Sequence, residues 1–198
     1  MTALRRFGLL APLAAFSLAG CGLNSVPTAE EQVNAAWGNV QSEYQRRADL
    51  VPNLVRTVER YADQEREVLT EVTEARSRAS SIQLSADDLS DPAKVQQFNQ
   101  AQTQFGSSLG RLLATVEAYP DLKSNQNFLA LQSQLEGTEN SILVSRRDYN
   151  EAVRSYNTTI RTFPDAIGAK IFYGAKPKVA FEAAAGAQTA PTVDFNAS

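Results

Sequence analysis

The chain has no histidine and a single cysteine, Cys21, among its 198 residues. Histidine is the commonest metal ligand and the usual general base near neutral pH. Its absence removes imidazole-based zinc sites, Ser-His-Asp triads and Cys-His dyads. One thiol excludes an intrachain disulfide. An excess of positive charge is missing as well: 19 basic residues face 22 acidic ones, for a net charge of −3. Phosphate-backbone partners are held mainly by Lys and Arg, so no nucleic-acid partner is expected. There is no extended basic amphipathic face of the kind that remodels membranes directly. No catalytic, cofactor-binding or metal-binding residue is assigned, and no small-molecule substrate is evident. What is present is a 43% apolar content, enough for the core of one domain.

The amino-terminal segment reads as an address and an anchor. Arg5 and Arg6 precede an apolar run from Phe7 to Leu18, a length that suits a signal-peptide core and is short for a membrane span. The run ends in Leu18-Ala19-Gly20-Cys21, which resembles the lipobox of bacterial lipoprotein signals. That resemblance implies cleavage before Cys21 after its thiol has received a diacylglyceryl group, with palmitate among the acyl chains. Removing residues 1–20 takes Arg5 and Arg6 away and leaves 17 basic against 22 acidic residues, a net charge of −5. An uncleaved membrane helix over residues 7–23 stays open as the alternative. In both readings the arginine pair keeps the amino terminus cytoplasmic. The expected organisation is therefore a signal peptide over 1–20, a lipidated cysteine and tether over 21–27, a helical bundle over 28–182, and a flexible tail over 183–198.

Four helical patterns follow. Thr28-Ala29-Glu30-Glu31 fits a capping box, and Val33, Trp37, Val40 and Tyr44 then share one face. Pro52 predicts a break near 47–50, with Asp49 as the cap of a second helix. The second seam runs Leu54, Val58, Tyr61, Glu65, Val68, Val72, Ala75, Ala79 and Ile82, with Glu65 its one charged member. A carboxylate inside a seam needs a partner, and Arg46 or Arg47 is expected to supply it. Asp91-Pro92 opens a third helix with an N-cap and a first-turn proline, whose seam is Val95, Phe98, Gln102, Phe105, Leu109, Leu112, Val116 and Tyr119. In the fourth, Phe128, Leu135, Ile142, Tyr149, Tyr156 and Phe163 recur every seven residues beside a row of mostly small or polar ones: Leu131, Thr138, Ser145, Ala152 and Thr159. Seams at 3.5-residue spacing predict near-parallel packing with a left-handed twist. The fold class expected is all-α: an elongated antiparallel four-helix bundle with long helices. Phe172, Tyr173, Val179 and Phe181 are expected to fold back onto it.

Several motifs have a bland reading. Gly106-Ser107-Ser108-Leu109-Gly110 matches the G-x-S-x-G of a hydrolase elbow, but that elbow needs a strand-to-helix turn and a histidine. The same residues match G-x-x-x-G, which predicts close approach to another helix, with the small stripe of the fourth helix as counterpart. Asp87, Asp88 and Asp91 lack the glycine and distal glutamate of a calcium loop and read as a solvated loop and helix cap. Asn157-Thr158-Thr159 fits a glycosylation sequon by composition alone. Tyr149-Asn150 and Tyr156-Asn157 repeat at seven residues, and the tyrosines read as core.

The segment Gln45 to Val55 (QRRADLVPNLV) resembles the LemA family signature. So do Tyr61-Ala62 with Glu65, Val72 to Arg76 (VTEAR), Tyr119 to Ile142 (YPDLKSNQNFLALQSQLEGTENSI), Arg146 to Asn157 (RRDYNEAVRSYN) and Thr162-Phe163-Pro164. The blocks span roughly residues 30 to 182. The resemblance implies an antiparallel helical bundle attached to a membrane near its amino terminus, and no established reaction. Relatives include a magnetosome-associated protein involved in building an intracellular membrane compartment. The expectation is a non-enzymatic structural or adaptor protein of the bacterial envelope, facing the extracytoplasmic side, which is the periplasm in a Gram-negative cell. Its partners would be membrane lipid through acylated Cys21 and an unidentified envelope protein. Membrane organisation by self-assembly and a carboxylate-based accessory hydrolase are the alternatives.

Overall fold

A computed structural model describes the backbone of residues 3–62 and 64–182, and the side chains of 24–62 and 64–182. Helix α1 runs from Ala3 to Glu59, α2 from Arg66 to Ser81, α3 from Pro92 to Val116 and α5 from Gln126 to Thr159. A single turn, α4 (Pro120–Lys123), links α3 to α5, and another, α6 (Asp165–Gly168), follows α5 and widens into a π turn over Ala169–Tyr173. No strand occurs among the described residues.

Contacts fix the directions. Pairs 61/125, 47/139, 37/149 and 25/165 meet between α1 with its flanking turn and α5 with α6. One number rises as the other falls, so α1 and α5 are antiparallel. Glu71 pairs with Arg111 and Ala79 with Gln102, so α2 and α3 are antiparallel too. Trp37 meets Phe98 and Arg47 meets Gln102, so α3 runs with α1. The result is the antiparallel four-helix bundle expected from the seams.

The first helical boundary differs from expectation. Residues 24–27, read as tether, are helical, and Val26 is buried. Thr28 is no cap. Its hydroxyl donates to the Asn24 carbonyl one turn back, at 2.7 Å. Nor does Pro52 end the helix. Proline cannot donate to the carbonyl four residues earlier, here Ala48, and Arg76 of α2 takes its place with a 2.6 Å bond from its Nε. Asp49 instead accepts from Gln45. The break falls after Glu59, so one seam of Val33, Trp37, Val40, Tyr44, Arg47, Val51, Leu54 and Val58 is buried without interruption.

The third start is as read: Asp91 Oδ1 accepts from the backbone of Ala93 and Lys94, with Pro92 in the first turn. In α5 the bulky row from Phe128 to Tyr156 is buried. The helix stops at Thr159, short of Phe163, because Pro164 has no N–H for the Ile160 carbonyl and disfavours a helical residue before it. Phe163 is 79% exposed.

The α2–α3 hairpin covers only part of the α1–α5 pair. The remainder is closed by the 82–91 loop, tied to Trp37 Nε1 and Gln41 through the Leu84 carbonyl, and by an extended strap, residues 174–182. Two asparagines hold the strap much as a neighbouring strand would. Asn157 accepts from the Lys178 N–H and donates to its carbonyl, and Asn150 does the same for Phe181. Val179 N–H bonds the Leu89 carbonyl. Phe181 then enters an aromatic cluster with Trp37, Phe98 and Tyr149, at centroid distances of 5.2–6.4 Å. Val179 and Phe181 thus fold back as expected, whereas Phe172 and Tyr173 are exposed. The expected tail, 183–198, lies outside the described residues.

The G-x-x-x-G expectation does not hold. A Cβ at Gly110 would meet nothing within 4 Å, and one at Gly106 would meet the Arg47 guanidinium at an ordinary 3.6 Å. The small stripe of α5 faces α1, along which α5 lies, rather than α3. Gly110→Ala is therefore expected to raise stability by up to about 1 kcal/mol, and Gly106→Ala to cause no large loss, both read by urea denaturation. Destabilisation by both would restore the close-approach reading. Replacing Asn150 and Asn157 together by alanine should speed hydrogen exchange at the Lys178 and Phe181 amides while the α1 and α5 amides stay protected.

Candidate functional site

Where α1, α2, α3 and α5 come together, the bundle buries an arginine. Arg47 is 3% exposed. Its Nη1 donates to Glu139 of α5 at 3.1 Å. Its Nη2 donates to the Gln102 side-chain oxygen at 2.7 Å and to the Gln102 carbonyl at 3.1 Å. Gln102 Nε2 in turn donates to the Ala79 carbonyl of α2 at 3.3 Å. The guanidinium stacks over the rings of Tyr44 and Phe105, 5.0 and 4.8 Å from their centroids. One side chain therefore touches two neighbouring helices directly and a third through Gln102. Arginine suits the task because its planar fork makes several directed bonds and its charge is weakly hydrated.

The position is legible as the charged member of the α1 seam. The sequence reading set Arg46 or Arg47 against Glu65, and the structure separates them. Glu65 stands just before α2, outside any helix, and accepts a 2.7 Å bond from the Tyr119 hydroxyl. Burial pushes the Tyr44 hydroxyl above its ordinary pKa, opposed by the positive charges of Arg146 and Arg47. Burial also raises Tyr149, and it raises Tyr156 to about 12, helped there by Glu30. These hydroxyls stay neutral across the physiological range, and Tyr149 donates to the Val179 carbonyl at 2.9 Å.

Next to Arg47 lies an open groove of about 380 Å³ lined by Gln41, Gln45, Ser80, Gln83, Phe98 and Gln102. Its polar side chains are amides and hydroxyls, which can bind through hydrogen bonds but supply no acid or base near neutrality.

The remaining motifs resolve individually. Gly106 to Gly110 lies inside α3, and Ser108 donates to the Phe105 carbonyl, so there is no nucleophile elbow. Asp88 accepts from Ser85 and pairs with Lys94, which together hold its carboxyl well below the usual range. Asp91 is the cap of α3. No group of acidic residues able to hold a metal occurs among the described residues. The Asn157 amide is occupied by the strap. Cys21 falls within the span of α1, and its side chain lies outside the described residues.

Sequence reading missed Lys178. It is buried, bonds the Ala86 carbonyl at 2.9 Å and pairs with Glu30 at 3.2 Å, so it staples strap, loop and α1 together. Its signal was faint, because the segment around it has no helical periodicity. The partner of Arg47, Glu139, was equally silent, standing beside the small row of α5 rather than in it.

Arg47→Ala is expected to cost about 3 kcal/mol or more in urea denaturation, since it strips partners from buried Gln102. Arg47→Lys should recover little, lacking the fork and the stacking. Glu139→Gln should cost under about 1 kcal/mol, because the carboxylate is half exposed. Equal losses for all three would remove the arginine's special place.

Residues 36–195 match the model of the LemA family. The chain is 26% identical over 140 residues to Protein LemA of Metamycoplasma hominis, covering 71% of this chain and 60% of that protein. It is 27% identical over 157 residues to Magnetosome protein MamQ 2 of Paramagnetospirillum magneticum, covering 71% of this chain and 58% of the other. It is 26% identical to Magnetosome protein MamQ of Magnetospirillum gryphiswaldense, with the same coverage. The chain thus spans about three-fifths of the length of these bacterial relatives. A family match across most of the sequence, on an all-helical antiparallel bundle, makes this chain a member of the LemA family.

Proposed function

We propose that the chain is a non-enzymatic envelope protein: a helical bundle fixed to a bacterial membrane by its amino-terminal end, presenting a helical face to a protein partner. The observation that carries this reading is the continuity of α1. It is helical from Ala3 to Glu59, so either anchor, Cys21 or residues 7–23, leads into the central helix of the bundle without an intervening loop. From Ser25 to Glu59 that helix reaches about 50 Å at 1.5 Å per residue. Among the described residues no helix is long and apolar enough to cross a membrane; the anchor proposed is the segment before Asn24. With Cys21 acylated, the bundle stands on the extracytoplasmic side, held by more than one acyl chain. With residues 7–23 uncleaved, the same end of the bundle faces the bilayer.

Exposed apolar side chains on α5 support a partner face there: Leu143 and Val144 are 65% and 49% exposed. Val144 lines a groove with Asn39, Ser42, Glu43, Asn140 and Asp148. Apolar side chains rimmed by polar ones are the usual make-up of a protein interface. The likeness to proteins named for the magnetosome favours a second reading, organisation of a membrane compartment by self-assembly.

The test compares the full-length protein with Cys21→Ser for intact mass and membrane partition. A cleaved, acylated wild type beside an unprocessed variant is the expected result. An uncleaved, unacylated protein that stays in the membrane in both forms would replace the lipid anchor by a membrane helix. Concentration-dependent oligomers of the tethered protein would favour the compartment reading over the adaptor.

A further inference from the structure

Large apolar side chains left in solvent are not spread evenly over the molecule. Nine occur among the described residues, and five of them, Phe163, Ile167, Ile171, Phe172 and Tyr173, fall within eleven consecutive positions. The first four are 79%, 52%, 69% and 67% exposed. Scattered exposed apolar residues are ordinary, but a concentration of them marks an interaction surface. Ile167 and Ile171 stand one turn apart on the α6 and π segment, so they share a side.

The place of this segment in the fold identifies what covers it. Asp165 accepts a 2.5 Å bond from Ser25 Oγ, and α6 packs on α1. Ser25 is four residues beyond Cys21, about 6 Å along the helix axis. Whichever way the amino terminus is anchored, by acyl chains on Cys21 or by an embedded helix over 7–23, this junction stands at the bilayer surface. No other end of the bundle is so placed: the turn between α1 and α2 is about 50 Å away. The composition also suits the interface. Aromatic residues are enriched at headgroup depth, and Arg161, Lys170 and Lys176, all exposed, flank the apolar positions against the single acid Asp165. Long basic side chains reach from an inserted apolar face back to lipid phosphates.

We infer that residues 163–173 form a second membrane contact, in which Phe163, Ile167, Ile171 and Phe172 insert into the headgroup region beside the amino-terminal anchor. The contact rests on the anchored reading proposed above. Two points of attachment on one rigid body fix its tilt, so the bundle stands at a set angle instead of swivelling about its anchor.

The experiment places a tryptophan at the patch and another at the far end of α5, as Phe172→Trp and Leu129→Trp, in the full chain. Both positions are exposed, so the fold tolerates them, and helical content by circular dichroism checks that. The native Trp37 is buried and supplies a constant background measured in the parent protein. Each variant is reconstituted into vesicles of phosphatidylcholine and phosphatidylglycerol carrying brominated lipid, then floated and read for quenching. The expected result is that the new indole of the Phe172→Trp protein is blue-shifted and loses most of its emission, while that of the Leu129→Trp protein keeps its own. Flotation with the patch indole quenched no more than the distal one overturns the contact and leaves the anchor standing. A patch indole that is blue-shifted only as protein concentration rises, without quenching, overturns it in favour of a second copy on the patch. Failure of the parent protein to float removes the anchored reading and this contact together.

Discussion

Arg47 divides the core. On one side Val26, Val33, Trp37, Val40 and Tyr44 of α1 pack with Phe98, Ile142, Tyr149, Tyr156 and Phe181. On the other, Ala48, Val51, Leu54 and Val58 pack with Val72, Phe105, Leu112, Phe128 and Leu135. An apolar seam alone leaves neighbouring helices free to slide by a turn at modest cost, whereas a polar group in the seam fixes one register. Here the register is fixed in two directions at once, by Glu139 against α5 and by Gln102 against α3. Burying a charge opposes folding unless bonds replace its water. The arrangement limits that opposition, since the Glu139 side chain remains 47% exposed while the arginine is enclosed by rings and carbonyls.

The same layer explains how α1 survives its proline. Ala48 follows Arg47 and loses its helical partner to Pro52. The donor that replaces it, Arg76, comes from α2. The bond forms only if α2 sits at the right height, and Gln102, reaching the Ala79 carbonyl, holds it there. The local defect in α1 and the packing of the α2–α3 hairpin are thus one problem with one solution. The segments that carry the family resemblance supply its parts: Arg47 and Pro52 from the first block, Arg76 from VTEAR, Glu139 from the third.

That coupling also sets the limit of sequence reading here. Periodicity revealed four helical patterns, the buried faces of α3 and α5 and the cap at Asp91, because those depend on residues close together along the chain. It failed at Pro52, where a local rule was overridden by a side chain twenty-four positions away. Had the seam been followed through the proline, its 3.5-residue spacing would have carried Val33 to Val58 unbroken and shown Arg47 as the charged member. Glu65 was misplaced for the same reason, since it belonged to a seam that does not exist. The strap was half legible. The Tyr-Asn pairs at 149 and 156 announce themselves, but the tyrosines drew the reading, and only the fold shows the asparagines gripping an extended chain.

The strap makes the end of the bundle where Ser25 meets Asp165 different in kind from the distal one. At the distal end three turns clasp each other through side chains, Glu65 to Tyr119 and Asn125 to Tyr61. At the other end the α2–α3 hairpin contributes only the first turns of α3, with Phe98 against Trp37, and α1 and α5 could not enclose Tyr149 without a further cover. Closure falls to chain that returns from α6 through Lys178 and Phe181. Because that chain must turn back at residues 163–173 to reach the groove, its turning point is carried past the end of α5, toward Ser25 of α1. The apolar side chains there are not needed by the core, which Phe181 completes. Their position follows from the route of the strap, and the membrane contact proposed above would account for their chemistry.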